Sequence, residues 1–270
     1  MKSFTMKALA LAVLGLAGAG SAMAACPTDA FAAWSSDSGG VNQGAQLGGS
    51  TVGISPGLNT TSCAMNAAFT HVAPSSNGEQ AIVFDNSPAF EQTFRFRFYV
   101  DPTNVASSLS TTNTVAIYAA KSQLNHGATP NPFIVQMLLV GSGTNIALRT
   151  LAACGSGDNF QASHCRATSD VILGPKATAT PNGIRVEGQV IMGGTGTGKV
   201  NIWVGSNVNT AAPDATINVD NSAWYAVGTE GVKQAVMGLF QGSIPFRGAT
   251  TNMTVKFDEY DSRRQTFIGL

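Results

Sequence analysis

The chain has 270 residues, with 15 basic and 15 acidic side chains and no net charge; charged residues make up only 11% of it. So sparse and balanced a charge set excludes the basic patch on which nucleic-acid binding depends. Its 30 glycines and many Ser, Thr and Asn residues suit a β protein with uncharged polar loops, and a chain of this length can bury a substantial core.

In chain order, residues 1–24 read as an export address. Lys2 and Lys7 give a basic start, Ala8 to Ala19 is a run of apolar and small residues, and Ala22-Met23-Ala24 fits a small-x-small cleavage site. The apolar run is too short to span a bilayer, and no transmembrane segment is expected. Cleavage after Ala24 would leave residues 25–270 as one domain, since no composition break or fixed-period repeat divides them, and would place it in the periplasm or outside the cell. Cys26, next to the cut, keeps lipoprotein processing open as an alternative. Cys26, Cys63, Cys154 and Cys165 are an even set in a chain bound for an oxidising compartment, so disulfides are expected. Cys26–Cys63 with Cys154–Cys165 is the favoured pairing, because the second bridge would clip a short Gly/Ser-rich loop. Zinc is not expected, because neither pair has C-x-x-C spacing and His164 beside Cys165 is a lone imidazole.

From Gln46 onward the pattern is one of short strands and turn clusters. Strands are expected over Gln46–Ile54, Ala64–Val72, Gln80–Phe84, Gln92–Val100, Thr114–Ala120, Phe133–Val140, Asn145–Leu151, Gly183–Met192, Lys199–Gly205, Val232–Phe240 and Asn252–Tyr260. The clearest is Phe94 to Val100, where Phe94, Phe96, Phe98 and Val100 alternate with Arg95, Arg97 and Tyr99, as a half-buried strand requires. Turn residues stand between strands at Asn86-Ser87-Pro88, Asp101-Pro102, Pro130-Asn131-Pro132, Pro181-Asn182-Gly183 and Gly193 to Gly198. No helical period is sustained beyond the export address. Repeated strands without intervening helices predict an all-β, antiparallel two-sheet sandwich or barrel and exclude a parallel α/β sheet.

The last strand, Met253 to Tyr260, holds much of the chain's charge chemistry. Met253, Val255 and Phe257 fall on one face, Lys256 and Asp258 on the other. Continued at period two, Glu259 and Asp261 would land on the apolar face, so the strand is expected to end or twist there.

The order of these motifs carries a resemblance. Leu47-Gly48-Gly49-Ser50, then Asn86-Ser87-Pro88-Ala89-Phe90-Glu91 feeding Phe94–Tyr99 and Asp101-Pro102, a late Ile202-Trp203-Val204, Met237-Gly238-Leu239-Phe240 and a closing Phe257-Asp258-Glu259-Tyr260-Asp261-Ser262 resemble secreted bacterial proteins with the concanavalin A-like, laminin-G-like jelly roll. The resemblance implies two bent antiparallel sheets, with a concave one facing a glycan. It also implies a structural calcium ion near the chain ends, for which the matching position is Asp258. The Glu-x-Asp-x-x-Glu motif of the β-glucan-cleaving branch is absent from this chain.

Candidate site residues follow from the strand faces. Trp203 opposes Val200, Ile202 and Val204, and a flat ring on a sheet surface stacks well on sugars; packing in the core is its other reading. Arg185, Glu187 and Gln189 point away from Ile184, Val186 and Val190 and offer planar hydrogen-bonding groups. Gly193-Gly194-Thr195-Gly196-Thr197-Gly198-Lys199 has the look of a phosphate loop, but position 200 is Val and a strand follows. A hairpin loop is the expectation there. His71, His126 and His164 are isolated, and there is no Gly-x-Ser-x-Gly elbow. No catalytic residue is assigned. The expected function is a non-catalytic recognition module for an extracellular or cell-surface glycan, with a glycan-active hydrolase or lyase, or a structural or adhesive envelope protein, as alternatives.

Overall fold

The computed structural model describes residues 51–58, 61, 63–69, 80–86, 88–122, 133–154, 166–177, 183–205, 212–220, 231–240, 242–243 and 253–263. These residues form β1 (Thr51–Pro56), β2 (Cys63–Phe69), β3 (Ala81–Asp85), β4 (Thr93–Asp101), β5 (Val115–Lys121), β6 (Phe133–Ser142) and β7 (Asn145–Ala153). They continue as β8 (Arg166–Pro175), β9 (Ile184–Ile191), β10 (Lys199–Val204), β11 (Ala215–Asn218), β12 (Gln234–Phe240) and β13 (Met253–Arg263), with one short 3-10 turn over Thr103–Ser108. No helix among the described residues is long and apolar enough to cross a membrane.

Two antiparallel sheets result: a seven-stranded one in the order β1-β2-β13-β4-β9-β10-β11, and a six-stranded one in the order β3-β12-β5-β6-β7-β8. The chain crosses repeatedly between them, so β13 lies between β2 and β4, β4 beside β9, and β12 between β3 and β5, while β5 to β8 and β9 to β11 follow one another as meanders. The alternation along β4 sets the layering. Phe94, Phe96 and Phe98 are almost completely buried and face the other sheet, where Tyr118 of β5 stacks on Phe96 with centroids 4.1 Å apart and on Phe98 at 5.4 Å. Burying each such ring contributes about 2–3 kcal/mol. Gly188 pairs with Phe96 across β9 and β4, and a Cβ there would overlap the Phe96 ring. The glycine leaves the space that the ring occupies.

All eleven expected strands are present in their described parts; Gln46–Ser50, Thr70–Val72 and Asn252 lie outside the described residues. Two more strands, β8 and β11, were not expected. Each is an outer strand of its sheet; β8 reads Arg-Ala-Thr-Ser-Asp-Val-Ile and leaves Ile172 half exposed. Edge strands need only one buried face, so their composition carries a weaker signal. The glycine-rich segment 193–198 joins β9 to β10, which pair antiparallel, and is closed by the Thr197 and Gly198 N–H groups donating to the Gly194 carbonyl. It is the expected hairpin loop.

The last strand departs from simple alternation in an informative way. Phe257 pairs with Val100 and Asp258 with Tyr99, but the next partner of β4, Arg97, faces Asp261. One extra residue is therefore accommodated as a β-bulge, and Glu259 takes a left-handed φ of 47°. Beyond the bulge the parity is restored: Asp261 lies opposite Arg97 on the polar face, while Ser262 lies opposite Phe96 on the core side. Tyr260 and Ser262 both donate to the Asp85 carboxylate, at 3.2 and 3.1 Å. Burial raises the Tyr118 and Tyr260 phenols well above their ordinary range; for Tyr118 the proximity of Tyr260 adds to this, and for Tyr260 that of Asp85. The strand does twist where expected, and then resumes.

The outer face of the six-stranded sheet carries its own apolar cluster of Ile82, Ala116, Ala119, Val236 and Phe240, flanked by Phe84, Phe133 and Leu138. The Lys121 ammonium sits against the rings of Phe84 and Phe133, 5.5 and 5.0 Å from their centroids, and burial lowers its pKa to about 8. Cys63 and Cys154 are each disulfide-bonded. Cys26 and Cys165, their expected partners, lie outside the described residues, as do the three histidines and residues 1–24.

Candidate glycan site on the seven-stranded sheet

The face of the seven-stranded sheet that turns away from the core is polar because its strands alternate. With Phe94, Phe96 and Phe98 inward, β4 must present Arg95, Arg97 and Tyr99 outward. Register then decides the neighbours. One row across the sheet reads Asp261, Arg97, Glu187, Trp203; a second reads Arg95, Gln189, Asn201, Thr216; a third reads Asp258, Tyr99, Arg185. All of the residues expected to contact a ligand, namely Trp203, Arg185, Glu187 and Gln189, share this face, and so does Asp258. Arg95, Arg97, Tyr99 and Asn201 join them.

The contacts divide the face into a sealed middle and a partly open margin. Arg185, Glu187 and Trp203 are buried, at 2%, 0% and 4% exposure. The Arg95 guanidinium lies 5.3 Å from the Trp203 ring centroid, and its Nη1 is 3.5 Å from Glu187 Oε1. Burial lowers the Arg95 pKa and Glu187 opposes that shift; a guanidinium remains charged through either. Trp203 is thus a support beneath Arg95 and not an open sugar platform. Around this middle, Arg97, Gln189, Asn201, Glu259 and Asp261 keep partial exposure. Arg97 Nη2 approaches Glu259 Oε2 at 3.8 Å. A relay of amides runs along the second row, with the Thr216 hydroxyl donating to Asn201 Oδ1 at 2.9 Å and Asn201 Nδ2 donating to Gln189 Oε1 at 3.1 Å.

Asp258, matched above to a calcium ligand, is engaged by hydrogen-bond donors. Its Oδ2 accepts the Leu58 N–H at 2.7 Å and the Thr61 hydroxyl, and its Oδ1 accepts the Glu259 N–H at 2.8 Å. A cation coordinates oxygens and not N–H groups, and no cluster of three His, Cys, Asp or Glu side chains occurs among the described residues. In this structure Asp258 ties Leu58 and Thr61 to the bulge.

Arg95 and Arg97 were legible as outward residues of β4 but were not selected as site residues. The signal that selects them is the β4–β9 register, which sets them against Gln189 and Glu187, and a period-two pattern does not contain that register.

No family model matches the chain, and no curated protein matches it. Solved structures do resemble it. The endo-β-1,4-glucuronan lyase of the fungus Trichoderma reesei superposes with a TM-score of 0.53 at 15% identity, covering 82% of this chain and 90% of that one. An alginate lyase from Pseudomonas aeruginosa gives 0.49 at 11% identity, covering 78% and 86%. An alginate lyase from Aplysia kurodai gives 0.47 at 13% identity, covering 79% and 87%. At such identities the likeness establishes the fold, a jelly-roll β-sandwich of the concanavalin A-like kind. The first of these, a polysaccharide lyase, also corrects the expectation of a non-catalytic recognition module, and the reading to take forward is the glycan-active alternative.

Proposed function

We propose that this chain is a glycan-active enzyme, a lyase that cleaves a uronate-containing polysaccharide on the polar face of the seven-stranded sheet, and that it acts after export. The observation that carries the reading is the set of guanidinium and amide groups that β4, β9 and β10 bring together. Arg95, Arg97, Gln189 and Asn201 are groups that can balance the charge of a uronate and orient its ring for elimination. The lyase fold adds to it.

The chemistry runs as follows. A uronate C5–H is acidified by its adjacent carboxylate only if that carboxylate's charge is balanced. Guanidinium groups do this best, since they stay charged and hydrogen-bond both oxygens. Arg97 and Arg95 fill this role, with the Gln189 and Asn201 amides orienting the ring. A base takes the C5 proton, the electron pair forms the C4–C5 double bond, the C4–O bond breaks, and the leaving oxygen takes up a proton. Tyr99, next to Arg97 on the same face and opposite Arg185 in register, is buried beside Leu58 and Ala64 and packs below the groups that meet substrate. Glu187, Trp203 and Arg185 form the buried layer beneath.

The test is to incubate the purified protein with polyglucuronate, polymannuronate, polyguluronate and a neutral β-glucan. Ultraviolet absorbance follows the conjugated unsaturated uronate ends. Growth is expected with a polyuronate and not with the glucan, and Arg97→Ala should lower the rate about a hundredfold or more, as loss of a charge-stabilising donor does. No unsaturated ends from any polyuronate, with protein shown to be folded, would overturn the proposal.

A further inference from the structure

The two arginines at the centre of the site have unlike counter-ions. Glu187, beside Arg95, is completely buried, whereas Glu259, beside Arg97, has a side chain 29% exposed and a contact of 3.8 Å. A carboxylate sealed in the sheet cannot leave without exposing an uncompensated charge to a low-dielectric interior. One at the margin can turn into water at little cost.

We infer that Glu259 is an exchangeable counter-ion of Arg97, and therefore a specificity-determining residue: it occupies the guanidinium until a substrate carboxylate displaces it. The inference rests on the proposed uronate-cleaving function.

Three observations support it. The bulge is what brings Glu259 there; unbroken alternation would have turned it into the core. Among the described residues only Phe90 and Glu259 combine a side chain with positive φ, a conformation that costs a bulky residue free energy and that persists where the surroundings impose it. Those surroundings are visible on both sides. Asp258 Oδ1 accepts the Glu259 N–H at 2.8 Å while its other oxygen is held by Leu58 and Thr61, and Asp85 holds Tyr260 and Ser262 from inside the sandwich.

Charge balance supplies the selectivity. On this face Arg95, Arg97 and Arg185 stand against Glu187, Glu259, Asp258 and Asp261, the last directly opposite Arg97 in register, so a uronate entering with every carboxylate in place meets no net attraction. If it replaces Glu259, the balance is kept and Arg97 exchanges one carboxylate for another. A neutral sugar has nothing to offer Arg97, and Glu259 stays. The residue therefore discriminates against uncharged chains by competition, a repulsive element as much as an attractive one.

The test is steady-state kinetics on the polyuronate that the wild type cleaves, comparing wild type, Glu259→Gln and Glu259→Gly. The glycine variant removes the carboxylate and accepts the left-handed backbone, so it remains informative if the glutamine variant folds poorly. Removing the competitor should lower KM about two- to fivefold, the worth of a partly exposed ion pair, with kcat within about twofold of wild type. KM unchanged or raised in both variants, or a loss confined to kcat, would overturn the inference and leave the lyase reading standing. A wild type that neither cleaves nor, by calorimetry, binds any polyuronate would remove both.

Discussion

Replacing Asp258 by alanine tests the account of the bulge. Three donors lose their acceptor. The Leu58 N–H is buried and has no water to turn to, which costs about 1–3 kcal/mol. The Glu259 N–H is nearer solvent and recovers part of its loss, leaving about 1 kcal/mol. The Thr61 hydroxyl can donate to the Leu58 carbonyl, 2.8 Å away, and its loss is small. The expected destabilisation is about 2–4 kcal/mol in urea unfolding followed by tryptophan fluorescence, with an unchanged m-value. Asp258→Asn should lose at least about half of that, because one carbonyl oxygen cannot serve Leu58 and Glu259 together and the new amide hydrogens face an N–H. A loss below about 0.5 kcal/mol in the alanine variant, the range of ordinary surface substitutions, would refute the reasoning. The same titration with calcium and with a chelator tests the cation expected at Asp258: a calcium-dependent rise in the wild type that vanishes in Asp258→Asn would make Asp258 a metal ligand and the hydrogen-bond account wrong.

Gly188→Ala should destabilise by about 1–3 kcal/mol, because its methyl group enters the space of the buried Phe96 ring; an unchanged midpoint in the same unfolding assay would show that the ring can yield. Lys121→Met should stabilise the protein at pH 7 by about 1–3 kcal/mol, the two rings offsetting part of what burying the ammonium costs. The sign follows from a folded pKa of about 8, below the roughly 10.4 of an unfolded lysine. Between these values the unfolded chain binds more protons, so wild-type stability climbs as pH rises from about 8 to about 10 and the cost is full below that window. The methionine variant should lack the climb when stability is measured across it, and a climb of equal size in both would exonerate Lys121.

How far the sequence anticipates this molecule depends on which information each feature needs. Phe94, Phe96 and Phe98 disclose β4 and its inward face because a strand's period is local. Arg185, Glu187, Gln189 and Trp203 are placed on the polar face for the same reason. Which groups touch is a matter of register between strands distant in the chain, and no local pattern states that Arg95 meets Glu187 or that Asp85 receives Tyr260. The non-catalytic reading failed at a related point. With Arg95 and Arg97 left out, the face held one glutamate, one arginine, an amide and a tryptophan, enough to grip a sugar and too little to ionise one. In β8 and β11 the difficulty was compositional, since an edge strand buries too little to write its period in hydrophobic residues.

The bulge in β13 has a consequence for how this protein could diverge. A strand with strict alternation ties every downstream side chain to one side of the sheet, so a deletion of one residue inverts them all. Here the inversion has already been used once. Deleting Glu259 would close the bulge and leave Tyr260 opposite Phe98, with Asp261 still opposite Arg97 and Ser262 still opposite Phe96, so every side chain beyond it would keep its face. The bulge thus absorbs a change in the count of residues that elsewhere in the strand would exchange site and core. A single-codon deletion beyond the bulge would exchange the two, whereas one at 259 would remove only the carboxylate that answers Arg97.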